Sequence, residues 1–331
     1  MKKKNIIVIT ILAVLAVLLV ICIAFLPKIK DKTIDTAPSS EPTQSLSSDT
    51  GSLEPQSSSS IQSESSVESV TSASSSSSST PAPTTNTDIT KGNIPDSIWA
   101  KIKDLPRTSS GWGPGIAAQG VRPSAPVSWQ NKNGKYGAYY IMPESQNIYL
   151  TFDEGYEYNN NTAAILDTLR EKNVKAVFFV TYSYVRDNPS FVQRMIDEGH
   201  IVGNHSSAHF SYGTEPIAKC YDDLMKLHNY MLEKYNYEMK LFRFPMGESN
   251  EQVLAMLNEL GYKSVYWSFA YRDWLTAEQP SEAEALNTIL SRSHPGAIYL
   301  LHAVSNTNTA VLGQVIDELR LLGYTIAEFP Q

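Results

Sequence analysis

The sequence predicts an α/β head folded as a distorted (β/α) barrel of about seven parallel strands, with candidate catalytic loops at the C-terminal strand ends. Three observations carry this reading. Short β-branched or aromatic runs alternate with longer amphipathic segments from residue 148 onward. No glycine-rich nucleotide fingerprint follows the first of these runs. The unusual polar residues Asp153, His205, Asp273 and His302, and nearly Arg243, fall where a strand gives way to a loop. Parallel strands joined by helical crossovers form either an open doubly wound sheet or a barrel. Loops from several strands converging on one face select the barrel.

Taken in order, strand 148–152 precedes helix 162–172, 175–180 precedes 189–198, and 200–203 precedes 216–235. The alternation continues with 240–244 and 251–260, 264–268 and 281–292, and 297–301 and 310–322, and a final strand at 325–329 closes it. In 310–322 the apolar positions Val311, Leu312, Val315, Ile316 and Leu319 have the spacing of a helix that covers a sheet. Residues 147–331 are therefore the catalytic domain. Residues 91–146, irregular and rich in Gly, Pro, Trp and Tyr, read as a lead-in segment packed on it.

Residues 6–26 run without a charge, long enough as a helix to cross a hydrocarbon core of roughly 30 Å. They read as a membrane anchor, because a cleavable signal has a shorter apolar stretch ending in small residues, and this one ends in Phe25 and Leu26. Residues 1–5 are then cytoplasmic. The lysines on the two sides of the span nearly balance, so the orientation rests on the segment C-terminal to it. Residues 27–90, dominated by Ser, Thr, Pro and Gln from Thr36 onward, are too poor in apolar groups to offset ordering entropy and read as a disordered linker. Such a stalk suits a head that reaches into a cell wall. The two cysteines, Cys22 in the span and Cys220 in the head, cannot pair across that separation. A net charge of -7 and a pI near 5.4 exclude a protein that coats nucleic acid, which needs a basic face.

Two clusters carry chemistry. Asp153 and Glu154 stand side by side at the end of an apolar strand, where two carboxylates cost energy unless a cation neutralises them; the alternative is a solvated acidic turn. His205 and His209, four residues apart, lie on one face of a helical turn and can share a metal; a surface pair is the alternative. Two imidazoles with one carboxylate leave positions open for water and substrate. Nucleophilic hydrolysis lacks support, since no Gly-x-Ser-x-Gly elbow is present and Cys220 lies in a helix.

With these residues in place, 148–329 resembles the polysaccharide deacetylases, carbohydrate esterase family 4, which share the chitooligosaccharide-deacetylase homology domain. The motifs occur in order: Thr151 through Gly155, His205 through His209, Arg243-Phe244-Pro245, Asp273-Trp274, and Leu300-Leu301-His302. The resemblance implies that Asp153 is the general base, that His205, His209 and Glu154 bind a divalent metal, zinc first with cobalt or manganese as alternatives, and that Arg243 orients Asp153. It implies that His302 is the general acid and that Asp273 holds it in its productive tautomer. Tyr156, Pro245, Trp274 and Tyr271 are expected to contact substrate, with the Tyr156 backbone N–H near the oxyanion; Trp267 is equally suited to core packing. Two positions depart from the family pattern: Glu154 stands where a second Asp is usual, and Ala270 stands where another Asp often opens the fourth motif.

The run 267–274 with His302-Ala303-Val304-Ser305 resembles a subgroup, the δ-lactam-biosynthetic de-N-acetylases of spore formers, in which the second Asp is often replaced. This implies de-N-acetylation of N-acetylmuramic acid in peptidoglycan glycan strands after an amidase has removed the stem peptides. Arg272 is the candidate for the freed lactyl carboxylate. The alternatives are removal of acetyl from N-acetylglucosamine or a chitin-like polymer, and a non-catalytic wall-binding homologue.

Overall fold

The computed structural model describes residues 90–330. The expectations for the cytoplasmic end, the anchor and the linker up to residue 89 lie outside them. Among the described residues no helix is long and apolar enough to cross a membrane.

Eight strands form one sheet: β1 (Ala138–Tyr139), β2 (Asn147–Glu154), β3 (Val177–Val180), β4 (Ile201–Asn204), β5 (Leu241–Phe242), β6 (Lys263–Val265), β7 (Ala297–His302) and β8 (Thr325–Ile326). Their spatial order is β1-β6-β5-β4-β3-β2-β7, with β8 beside the start of β2, and every pairing between them is parallel. The chain just past β6 reaches β7: Ser268 N–H donates to the Ile298 carbonyl, and Leu300 N–H to the Phe269 carbonyl. These bonds curl the sheet into the distorted barrel that the alternation predicts.

The strands are apolar on both faces, and their period of two sorts the side chains into two layers. Tyr149, Val177, Phe179, Ile201, Leu241, Val265 and Ile298 fill the barrel interior. Ile148, Leu150, Phe152, Phe178 and Val202 face the helices. The interior is tight at Gly203, where a Cβ would come within 2.5 Å of the Phe179 ring.

The helices are α1 (Asp96–Ile102), α2 (Ser124–Asn133), α3 (Asn161–Glu171), α4 (Tyr182–Asp187), α5 (Pro189–Asp197), α6 (Ile217–Tyr235), α7 (Glu251–Glu259), α8 (Glu282–Ser291) and α9 (Asn306–Leu321). Local signals set several starts. Ser281 and Glu284 form a reciprocal capping box on α8, and the side chains of Asn250 and Ser305 accept the Val253 and Asn308 N–H groups that open α7 and α9. The short α4 has no counterpart in the sequence reading, because 181–188 offers too little periodicity to announce it.

The lead-in is part of the barrel domain. It supplies β1, which pairs with β6, a strand that two residues between a glycine turn and a polar loop do not reveal in sequence. Trp112 packs edge-on against Trp129 and Tyr140 and donates its Nε1–H to the Trp267 carbonyl at 3.0 Å. Ser110 bridges Ser249.

Candidate active site

Five strand ends deliver the expected groups to one mouth. Asp153 ends the interior-facing row of β2, His302 ends that of β7, and the two are register partners across the β2–β7 pair. His205 follows β4, Arg243 follows β5, and Asp273 lies in the loop after β6. A cavity of about 530 Å³ opens between them, lined among others by Asp153, Tyr156, His205, His209, Trp274 and His302.

Arg243 is fully buried and stacks over the Phe179 ring, with its guanidinium carbon 4.1 Å from the ring centroid. Its Nε and Nη2 donate to the Val265 and Tyr266 carbonyls, and Nη1 donates to Asp153 Oδ1 at 2.8 Å. A guanidinium so committed is a fixed charge. Burial alone would raise the Asp153 pKa, but the Arg243 charge and hydrogen bond, with a contribution from His302, outweigh it and hold the carboxyl below its usual value, so it stays ionised.

Asp153 Oδ2 faces His205 Nε2 at 3.5 Å. His205 Nδ1 lies 2.9 Å from the Arg243 carbonyl, which can only accept, so the proton sits on Nδ1 and the Nε2 lone pair points to the cavity. Burial lowers this imidazole to about 4 and keeps it neutral. The His205 and His209 ring centroids are 5.0 Å apart. The segment that joins them is no helical turn, because Ser206 and His209 have positive φ. The loop is shaped instead by polar anchors: Asp223 on α6 accepts Ser207 N–H at 2.8 Å and the Tyr212 hydroxyl at 2.7 Å, and Ser206 Oγ accepts His209 N–H at 2.9 Å.

Across the mouth, His302 Nδ1 and Asp273 Oδ1 are 2.7 Å apart, and His302 N–H donates to Asp273 Oδ2 at 2.9 Å. Burial opposes charge on the ring, yet the Asp273 hydrogen bond and negative charge, with Asp153 behind them, raise the imidazole above its usual value. Nε2 is left as the nitrogen that can exchange a proton with the cavity. Trp274 stands beside it, the two rings 5.6 Å apart, and is exposed, as is Tyr156, which also lines the cavity.

The model for the family described as polysaccharide deacetylase matches residues 142–265. A peptidoglycan-N-acetylmuramic acid deacetylase of Bacillus subtilis strain 168 is 36% identical over 228 residues, covering 68% of this chain and 86% of that protein. The chain belongs to the polysaccharide deacetylase family. It is a hydrolase of carbon–nitrogen bonds other than peptide bonds. The solved Bacillus subtilis PdaA, a family 4 carbohydrate esterase, superposes with a TM-score of 0.63 at 35% identity over 68% of this chain and 96% of that one. A peptidoglycan-N-acetylglucosamine deacetylase of Bacillus cereus is 30% identical over 209 residues, 62% of this chain and 91% of that protein.

Several residues of this deacetylase stand elsewhere than the sequence suggests. Glu154 is not brought to the imidazoles. On β2 it shares its parity with Ile148, Leu150 and Phe152, so it turns into the helix layer, fully buried. There its Oε1 accepts from Thr162 Oγ1 at 3.3 Å, while its Oε2 and that of Glu157 have no hydrogen-bond partner among the described residues. Burial first, then the Glu157 charge, raise its pKa well above the usual value and keep it protonated. Strand parity alone could have revealed this.

Arg272 is exposed, pairs with Glu278 at 2.6 Å and does not line the cavity. Tyr271 also stands back from the cavity, its hydroxyl bonded to Asn308 Oδ1. Pro245 is buried at the start of a short 3₁₀ turn, outside the lining. Trp267 packs half-buried on the core. Thr181 and Ser183, which line the cavity, carry no motif; Thr181 Oγ1 donates to the Gly155 carbonyl at 3.1 Å and so pins the loop that bears Tyr156.

The fit to a divalent ion can be judged from these positions. A ligand set that includes Glu154 does not fit, and among the described residues no group of three or more His, Cys, Asp or Glu side chains could hold an ion. The imidazole pair fits better: His205 presents a lone pair fixed by its carbonyl contact, His209 lies beside it, and both line the cavity.

Proposed function

We propose that this deacetylase removes the acetyl group from N-acetylmuramic acid in peptidoglycan, acting on glycan strands freed of stem peptide and preparing the muramic δ-lactam. The observation that carries the chemistry is the pair of proton carriers on one cavity, an Asp153 locked by Arg243 and a His302 that Asp273 orients and makes more basic. The similarity to the Bacillus subtilis N-acetylmuramic acid deacetylase supports the substrate.

In this reading the acetamide enters between the two carriers. Asp153 accepts a proton from the attacking water through the oxygen that Arg243 leaves free, and the new carbon–oxygen bond turns the carbonyl into an oxyanion. A divalent ion on His205 and His209 would supply Lewis-acid polarisation and a more acidic water. His302 Nε2 then protonates the sugar nitrogen as the carbon–nitrogen bond breaks, so that an amine and acetate leave. Trp274 and Tyr156, both exposed in the cavity lining, offer aromatic faces to the sugar. Ser183, Thr181 and Ser207 are the hydroxyls of the lining that can meet the lactyl group. The apolar run at 6–26 supports a tether that keeps the head outside the cytoplasm.

Mass spectrometry of defined peptide-free glycans tests the substrate. The reading expects loss of one acetyl from muramic acid; loss from glucosamine alone, as the name of the Bacillus cereus relative would suggest, replaces the substrate while keeping the chemistry.

A further inference from the structure

Behind the acid lies a polar chain whose outer links, Asn308 and Tyr271, none of the five motifs contains. Asp273 is fully buried and accepts three hydrogen bonds: Oδ1 from His302 Nδ1, and Oδ2 from His302 N–H and from Asn308 Nδ2 at 2.5 Å. Asn308 is buried in the first turn of α9, where its own N–H is capped by Ser305 Oγ at 3.0 Å. Its Oδ1 accepts from the Tyr271 hydroxyl.

The direction of this chain is fixed by chemistry. The Asp273 carboxylate can only accept, so the amide must present Nδ2 to it, and the amide oxygen then faces Tyr271, whose hydroxyl must donate. Burial, reinforced by the Asp273 charge, keeps that hydroxyl protonated. The chain therefore runs one way, from hydroxyl to amide to carboxylate to imidazole. The main chain that carries the carboxylate is held as well: Gln279 Nε2 donates to the Asp273 backbone carbonyl at 2.7 Å.

We infer that Asn308 is a positioning residue of the deacetylation: its amide, oriented by the Tyr271 hydroxyl, shares the Asp273 carboxylate with His302, fixing the plane of the carboxylate and tempering its grip on the imidazole proton. The inference rests on His302 being the acid. A carboxylate held by His302 alone would bind the imidazolium so tightly that the ring became a poor donor to the leaving nitrogen. An N–H on the other oxygen draws off part of its charge. The sequence reading gave Tyr271 to the substrate; here it belongs to the support of the acid.

Two variants and a readout other than activity test this. Asn308→Leu keeps the size of the side chain and removes the donor, and Tyr271→Phe removes one oxygen from a half-buried ring. The His302 imidazole is titrated by NMR in the substrate-free protein. Asp153 and Arg243, the other charged groups that act on His302, are unchanged in both variants. We expect the His302 midpoint to rise by roughly half to one pH unit in Asn308→Leu and by less in Tyr271→Phe. We also expect the alkaline limb of kcat to follow it, kcat to fall about tenfold, and KM to hold. A midpoint that stays put or falls overturns the inference, and Tyr271→Phe decides alone if Asn308→Leu does not fold. Absence of deacetylation with a shifted midpoint would instead remove the proposed function and leave the chain of contacts standing.

Discussion

Arg243 Nη1 lies 2.8 Å from Asp153 Oδ1, with the guanidinium fully buried and the carboxylate open only toward the cavity it lines. Two other Arg243 donors are spent on the Val265 and Tyr266 backbone carbonyls, so the guanidinium cannot follow the carboxylate if the latter moves. Removing one partner of such a pair strands the other charge in the barrel.

Arg243→Met should therefore cost about 3 to 5 kcal/mol of folding stability, far more than an exposed arginine contributes. Urea unfolding of the variant at neutral pH checks this. A midpoint close to that of the parent would show that Asp153 finds another counter-charge.

Glu154→Gln should stabilise the protein, and more so at high pH. The folded carboxyl is raised above the unfolded one, so the unfolded chain loses its proton first as pH climbs. The stability that comes with the neutral form is whole below the unfolded value and drains away as pH rises toward the folded one. Glutamine is neutral throughout and can donate to Glu157. Thermal unfolding should show no gain near pH 4 and a gain of several degrees near pH 8; a loss at pH 8 would mean that the charged form is held by a partner.

Asp273→Asn should narrow the pH range of activity from the alkaline side. With the carboxylate present, His302 titrates above its ordinary value, so the acid keeps its proton to higher pH than a free imidazole would. Without it burial dominates, the imidazole drops below that value, and the alkaline limb of kcat/KM moves down. The rate at the optimum should also fall by about 10²-fold or more as the tautomer is lost. An unmoved limb would assign that limb to another group.

Metal dependence should track the imidazoles and not Glu154. Calorimetry with zinc or cobalt should detect one ion in the parent and in Glu154→Gln, and none in a His205→Ala, His209→Ala double variant. Loss of binding in Glu154→Gln would bring that carboxyl back into the ligand set.

Much of this site was legible before any coordinates, because strand ends announce themselves. An apolar run broken by Asp, His or Arg marks both the strand and the mouth of the barrel, and the five such breaks at Asp153, His205, Arg243, Asp273 and His302 do converge. The parts that escaped depend on direction rather than on position. Glu154 sits beside Asp153 in sequence yet in the other layer of the barrel, as strand parity requires. Tyr271 and Arg272 neighbour Asp273, but one turns to Asn308 and the other to Glu278 and solvent. Asn308 lies in a polar helix start where nothing in sequence marks it. The strand at Ala138–Tyr139 is too short to show any period.

The most direct test is acetate release from peptide-free muramic glycan by the parent protein and by Asp153→Asn. The account predicts steady release from the parent and about 10³-fold less from the variant, since the amide that replaces the carboxylate cannot take the water's proton. Equal release from both would contradict it, because the carboxylate that Arg243 holds would then have no part in the reaction.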